Sequence, residues 1–158
     1  MDEVCGHHQR SQKSLLAKRL FALMKGIADT GFIVAFRNRT DQHHRWAVDL
    51  ARNLDEPLLT CESVLSEAVF HLGSSEAALA LVAVGMLEVA FDCAQNVDHL
   101  RDLAARYADR HPDLADLCLI RMSELYPRHS VITVDEDDFR VYRRNKREVI
   151  PIICPPSR

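Results

Sequence analysis

The sequence predicts a three-layer α/β fold in which a mainly parallel central sheet is flanked by helices. Short apolar segments of strand length alternate with longer segments whose apolar residues recur at helical spacing. This alternation is typical of parallel strands joined by right-handed crossover helices. The chain has 158 residues, of which 47% are hydrophobic, and this fits one domain with a substantial core.

The domain is predicted to occupy residues 24–158 and to follow an N-terminal extension of residues 1–23. The extension is polar over residues 1–13 and has an amphipathic helical pattern after that. Residues 26–36 then contain a short apolar run that ends at Asp29, a glycine at position 31 and an apolar helical pattern. This stretch predicts a buried strand, a tight turn at Gly31 and a helix.

The remaining elements follow in the same alternating order. Helices are predicted over residues 43–54, 63–72, 75–85, 96–109 and 114–125, with a short helical turn over 139–144. Strands are predicted over residues 58–60, 87–91, 130–134 and 148–153. The helix over 114–125 is apolar on nearly every side, which predicts that it is buried.

Charge and cysteine content narrow the function classes. The formal net charge is -3, so a nucleic acid would have to be bound by a local basic patch. The five cysteines form no C-x-x-C pair, and their odd, unpatterned set without an export signal predicts reduced thiols in the cytoplasm. The longest apolar run, residues 77–87, is too short to cross a bilayer and is expected to be core first and dimer surface second.

Four carboxylates occupy positions that a solvated surface explains poorly. Asp29 and Asp135 each follow a predicted apolar strand, and Glu67 and Asp116 lie in apolar helices. The carboxyl ends of neighbouring parallel strands meet at one edge of a sheet, where ligands bind. Because clustered carboxylates repel one another, a divalent cation is the usual way to stabilise them. The four acids together therefore predict one metal site.

Each acid alone has a simpler explanation. Asp29 can cap the following helix. Asp116 follows the predicted cap Asp113 by three residues, where an acid favours the helix dipole. Glu67 can be a rim residue, and Asp135 can belong to a plain acidic turn over residues 135–138. Four such coincidences on one parallel scaffold are less expected than one shared site.

Five segments carry a family resemblance in order: IADTGFIVA (residues 27–35), DQHHRWA (41–47), LTCESVLSE (59–67), ADLCL (115–119) and ITVDEDDF (132–139). With these segments the chain resembles PIN-domain ribonucleases, and more narrowly the VapC toxins of bacterial toxin–antitoxin pairs. The resemblance covers residues 24–152. It departs from the family in the N-terminal extension and at Leu117, where the family usually has a small residue that leaves room beside the site.

The resemblance implies a set of site residues. The family's catalytic and metal-binding acids fall on Asp29, Glu67, Asp116 and Asp135, the four acids already singled out. Thr30 and Thr133 match hydroxyls beside the family's site. Asp138, in the acidic turn, is a candidate secondary ligand.

The resemblance also implies an activity and partners. The expected activity is Mg²⁺- or Mn²⁺-dependent endonucleolytic cleavage of RNA, often tRNA, leaving a 5′-phosphate and a 3′-hydroxyl. The expected partners are a second copy of the chain and a small antitoxin.

The alternatives to this activity are a PIN-like module that binds RNA or protein without cutting, and a phosphotransfer enzyme on a similar frame. The second alternative needs another Asp two residues after Asp29, where this chain has Gly31.

A basic cluster follows the acidic turn and consists of Arg140, Arg143, Arg144, Lys146 and Arg147. It can balance the charge of the turn, or it can form a phosphate-binding rim beside the metal site. The two interpretations have equal support from the sequence.

Overall fold

The computed structural model describes residues 25–156, so the predicted N-terminal extension lies outside the described residues. The predicted fold class is confirmed: five parallel strands form a central sheet that is flanked by helices. The strands of this sheet stand in the order β3-β2-β1-β4-β7. They are β1 (Lys25–Ala28), β2 (Leu58–Thr60), β3 (Leu87–Val89), β4 (His129–Ile132) and β7 (Ile152–Ile153), and a separate antiparallel pair consists of β5 (Arg143–Arg144) and β6 (Glu148–Val149).

Seven α-helices are present in the described part of the chain. They are α1 (Thr30–Arg37), α2 (His44–Ala51), α3 (Glu62–Leu72), α4 (Ser75–Ala83), α5 (Val97–Arg106), α6 (Leu114–Leu125) and α7 (Glu136–Val141). A 3₁₀ turn, Ala108–Arg110, follows α5. The predicted burial of α6 is confirmed, since Leu119, Ile120 and Met122 are fully buried. No helix in residues 25–156 is long and apolar enough to cross a membrane.

Strand β1 lies in the middle of the sheet, where its small and apolar residues pack against neighbours on every side. Ile27 and Ala28 are fully buried. A Cβ atom at Gly26 would lie 2.5 Å from the Cδ1 atom of Ile132 and 2.7 Å from a Cδ atom of Leu58, so glycine allows the neighbouring strands to pack here. The residue that follows β1 is therefore held at the centre of the carboxyl edge.

The predicted tight turn at Gly31 is wrong. Asp29 is the N-cap of α1, and Gly31 lies inside the first turn of that helix. A Cβ atom at Gly31 would lie 2.5 Å from the Cγ2 atom of Val134. Glycine is thus needed for close approach between the start of α1 and the segment that follows β4.

The predicted helical turn over 139–144 is also placed wrongly, because α7 begins earlier. Asp135 caps this helix by accepting a hydrogen bond from the backbone N–H of Asp138 at 3.3 Å. The acids of the first turn are favoured by the positive end of the helix dipole. The helix then ends at Val141, and β5 begins two residues later.

The single strand predicted over 148–153 is two strands in the structure. β6 pairs with β5 in a hairpin, and β7 pairs with β4 in the central sheet. Asn145 and Lys146 make the hairpin turn with positive φ angles of 49° and 69°. Pro151 separates the two strands, because it has no N–H to donate to a ladder. Other predicted elements differ from the structure by a few residues at their ends.

Candidate active site

The four predicted acids line one cavity of about 330 Å³ at the carboxyl edge of the sheet. Asp138 and Thr30 line it as well. Thr133 is absent from the lining but contacts Asp29 from the buried side. The complete lining is Asp29, Thr30, Gly31, Val34, Asp41, Glu67, His71, Asp113, Asp116, Val134, Asp135, Asp138 and Phe139.

Four separate elements position the acids. Asp29 follows β1 and Asp135 lies three residues after β4, and these two strands are neighbours in the sheet. Glu67 projects from α3, and Asp116 lies in the first turn of α6. Asp29 and Asp135 also cap helices, so the capping role and the place at the cavity occur together.

Two hydrogen bonds fix the Asp29 carboxylate. Thr133 donates its hydroxyl to Oδ2 at 2.6 Å, and the backbone N–H of Thr30 donates to Oδ1 at 2.6 Å. The hydroxyl oxygen of Thr133 accepts in turn from the backbone N–H of Asp135 at 3.0 Å. One buried threonine therefore joins the segments that carry two of the acids.

The other two acids are held from neighbouring elements. The hydroxyl of Thr30 donates to Oε2 of Glu67 at 2.6 Å, which ties α1 to α3. The hydroxyl of Tyr142 donates to Oδ2 of Asp116 at 3.4 Å. The Tyr142 ring is almost completely buried and packs edge-to-face on Tyr107 and Phe139, with centroids 5.0 and 5.9 Å away.

The cavity carries more negative charge than its surroundings compensate. Burial raises the pKa of Asp29 to about 6 against the lowering effect of its hydrogen bonds, and the charges of Glu67 and Asp113 raise it further. Burial, followed by the charges of Asp113 and Asp29, raises the pKa of Asp116 to about 7. Burial and the charge of Asp135 raise the pKa of Asp138. A bound cation would relieve this repulsion.

The donor set suits a hard divalent ion, although the acids are not gathered around one point. In residues 25–156, no three His, Cys, Asp or Glu side chains stand close enough together to hold a metal ion as placed. Each of the four predicted ligands is instead hydrogen-bonded to its own partner. Their oxygen atoms are the ligand type that Mg²⁺ and Mn²⁺ prefer. Chemistry and charge therefore fit such an ion, and binding it requires the side chains to converge.

The basic cluster of five residues does not line the acidic cavity. Arg144 is mostly buried and donates to the backbone oxygens of Ser123 and Pro127, so it stabilises the end of α6. Arg140 pairs with Glu136, and Arg143 donates to backbone oxygens of its own segment. Lys146 and Arg147 are exposed.

Three residues of the site were not anticipated from the sequence. Asp41 lines the cavity from the loop before α2, where its side chain accepts a hydrogen bond from the backbone N–H of His43 at 2.7 Å. His71 lines it from the last turn of α3, and its spacing of four residues from Glu67 is a signal that could have identified it. Tyr142 had no sequence signal, since its contact with Asp116 depends on the unpredicted course of the chain after α7.

Neither protein-family models nor curated proteins give a match to this chain. The assignment of a function therefore depends on the chemistry of the cavity and on the ordered motifs that surround it.

The hydrogen bond from Thr133 to Asp29 predicts a measurable stability effect. Thr133→Val should lower the free energy of unfolding by about 2 kcal/mol at pH 8, because the bond has a charged acceptor. The loss should shrink below pH 6, where Asp29 becomes protonated. Thr60→Val is the matched control, since the fully buried Thr60 donates to the neutral backbone oxygen of Ala28. Urea unfolding of both variants at pH 8 and below pH 6 checks this. An equal loss of stability for Thr133→Val under the two conditions would contradict it.

Proposed function

We propose that the protein is a divalent-metal-dependent endoribonuclease that is similar to VapC toxins and acts in the cytoplasm. The observation that carries the proposal is that four acids, from two strand ends and two helices, line one cavity at the carboxyl edge of a parallel sheet. This edge is where open α/β sheets bind ligands. The ordered motifs of the PIN-like resemblance contain the same four acids.

The metal ligands in this proposal are Asp29, Glu67, Asp116 and Asp135, with Asp138 as a secondary ligand. These residues would hold Mg²⁺ or Mn²⁺, and the ion would supply an activated water for attack on a phosphodiester and would stabilise the negative charge that develops. Thr133 and Thr30 hold two of these carboxylates through bonds of 2.6 Å, and the carboxylates would have to turn toward one another to share an ion.

The substrate would be a phosphodiester of RNA, such as tRNA, that reaches an acidic cavity on a chain of net charge -3. Basic side chains near the cavity would have to assist its approach. Lys146 and Arg147 are the members of the basic cluster whose exposure suits phosphate contacts. Arg144 is already committed to the backbone of α6.

The proposal includes two protein partners, a second copy of this chain and a small antitoxin. An antitoxin arginine fits the acidic cavity, because a guanidinium pairs with two carboxylate oxygens and replaces the cation. Leu79 and Val84, in the stretch expected to serve as core and dimer surface, are 57% and 76% exposed and offer apolar contact area. A small gene immediately upstream, whose product copurifies with this chain and inhibits it, would support the toxin part of the proposal.

A non-cleaving PIN-like module is the second candidate. One observation favours it: each acid already has an internal hydrogen-bond partner, and no three of the described metal-binding side chains are grouped together. Such a protein would bind RNA or a protein without changing it.

One experiment separates the two candidates. The purified protein is incubated with total RNA in the presence of Mg²⁺, of Mn²⁺ or of EDTA, and the ends of the fragments are mapped. The nuclease proposal expects discrete fragments with 5′-phosphate and 3′-hydroxyl ends only when a divalent ion is present. Intact RNA in all three conditions, or fragments with cyclic phosphate ends that persist in EDTA, would overturn it.

A further inference from the structure

Two adjacent side chains at the end of α3 lie beside the acidic cavity: His71 lines it, and Phe70 is absent from the lining but contacts the ring of His71. His71 lies one helical turn after Glu67, which places both on the same side of the helix, and His71 lines the cavity. Phe70 precedes it and is 83% exposed, more than any other large apolar side chain in residues 25–156. The two rings contact each other edge-to-face, with centroids 5.5 Å apart and planes at 78°.

His71 differs in chemistry from the other polar side chains of the cavity. Apart from His71 and the hydroxyl of Thr30, the polar side chains of the lining are all carboxylates. No described lysine or arginine lines the cavity. An entering phosphate group therefore meets one described lining side chain that can donate an N–H from a ring. This makes His71 the natural phosphate contact of the cavity.

The fold gives Phe70 no apolar environment. Burying such a ring stabilises a folded protein, so leaving it in water has a cost. An exposed aromatic ring beside a phosphate contact is the arrangement by which proteins bind single-stranded nucleic acid, with the base stacked on the ring. Bases in a duplex are already stacked on their neighbours, so only an unpaired nucleotide can use such a ring.

We propose that Phe70 and His71 together bind one unpaired nucleotide of the RNA substrate, with the base stacked on Phe70 and its phosphate hydrogen-bonded to His71. This inference rests on the proposed function and adds to it a binding position for one nucleotide beside the acidic cavity. The competing occupant of Phe70 is a protein surface, and the experiment includes an outcome for it.

The test measures binding of RNA to protein that does not cut it. All variants are made in the Asp29→Asn background and titrated in Mg²⁺ with fluorescein-labelled single-stranded oligoribonucleotides, by fluorescence anisotropy. Phe70→Leu should weaken binding by about tenfold, as expected for the loss of one stacked base. Phe70→Tyr should bind like the parent protein, because it keeps the ring. Val97→Ala is the control, an exposed apolar side chain on α5 that neither lines the cavity nor belongs to the stretch expected to serve as dimer surface.

Modified oligonucleotides locate the nucleotide. The loss caused by Phe70→Leu should disappear on the one substrate in which the stacked base is replaced by an abasic residue. The loss caused by His71→Ala should disappear when the phosphate of that nucleotide is replaced by an uncharged methylphosphonate. Fully paired RNA should bind all the variants equally.

Three results would overturn the inference. The first is a parent protein that binds no single-stranded RNA. The second is a Phe70→Leu loss that stays the same on every abasic substrate. The third is a Phe70→Leu variant with unchanged RNA affinity but a changed mass in light scattering, which would assign the ring to a protein contact. The cleavage assay with wild-type protein decides the proposed function separately, since binding is measured here without cleavage.

Discussion

Asp29→Asn should abolish metal-dependent RNA cleavage while leaving the fold intact. Asp29 lies at the centre of the carboxyl edge, and asparagine keeps its shape and one oxygen while losing the charge that attracts a cation. A metal ion contributes several kcal/mol to the stabilisation of such a transition state. About 1.4 kcal/mol corresponds to a tenfold change in rate, so the loss should be about a hundredfold or more. Stability should hold or rise, because one of several repelling charges is removed.

The measurement compares initial cleavage rates of wild-type and Asp29→Asn protein on one RNA, with urea unfolding of both as the test of folding. Asp113→Asn is the matched control. Asp113 lines the same cavity, but its side chain caps α6, a role that asparagine performs equally well. Its rate should fall far less than that of Asp29→Asn. A cleavage rate of Asp29→Asn equal to that of the wild type would show that Asp29 is not needed for cleavage and only caps α1.

The central sheet and its buried helix could be predicted from the sequence because the apolar patterns that indicate them are local. The run that ends at Asp29 could only be a short buried strand, and the apolar residues on all sides of α6 required burial. Boundaries were less certain where caps and not apolar spacing decide them. The cap at Asp135 moved the start of α7 back to Glu136, although the apolar pattern suggested a later start.

The hairpin of β5 and β6 could not be predicted from local patterns. Its strands have two residues each, and its turn uses Asn145 and Lys146 with positive φ instead of the usual asparagine–glycine pair. Its placement depends on Arg144, which donates to the backbone oxygens of Ser123, in the last turn of α6, and of Pro127, just after it. Such long-range contacts leave no periodic signal in a sequence.

The site was partly predictable for a related reason. Strand ends and apolar helices identified the four acids, because charge in an apolar setting is visible in the sequence. The hydrogen bond from Tyr142 to Asp116 was not visible, since it joins residues on α6 and after α7. Asp41 was missed because a loop acid before a helix is fully explained as a cap.

Asp116→Asn should make the protein more stable at high pH and leave its stability unchanged at low pH. Burial and the charges of Asp113 and Asp29 raise the pKa of Asp116 from 3.8 to about 7 in the folded protein. Below about pH 4 both the folded and the unfolded chain carry the proton, so the carboxyl group has no differential effect. Between pH 4 and 7 the unfolded chain releases its proton while the folded chain retains it, and the stability of the wild-type protein falls as the pH rises.

The size of this effect follows from the same shift. Each tenfold change in proton affinity corresponds to about 1.4 kcal/mol, and water partly screens the half-buried carboxylate. The gain for Asp116→Asn should therefore be on the order of 2 kcal/mol at pH 8 and should vanish near pH 4. Urea unfolding across this range measures it. Asp98→Asn is the control, because Asp98 is an exposed aspartate in the first turn of α5. This variant should be slightly less stable than wild type at pH 8, since it lacks a negative charge that interacts favourably with the helix dipole.

Adding Mn²⁺ to the same unfolding series tests whether the destabilising carboxylate of Asp116 binds a metal ion. An ion that binds the folded protein alone stabilises it by about 2.7 kcal/mol at a hundred times its dissociation constant. Wild-type protein should show such a gain at pH 8 and lose it as the pH falls through 7 and 6, where protons displace the ion from Asp116 and Asp29. Asp116→Asn should gain much less at pH 8. Equal gains in stability from Mn²⁺ for the two proteins would exclude Asp116 as a ligand. An Asp116→Asn variant that is less stable than wild type at pH 8 without the ion would show that the carboxylate is not repelled by its neighbours.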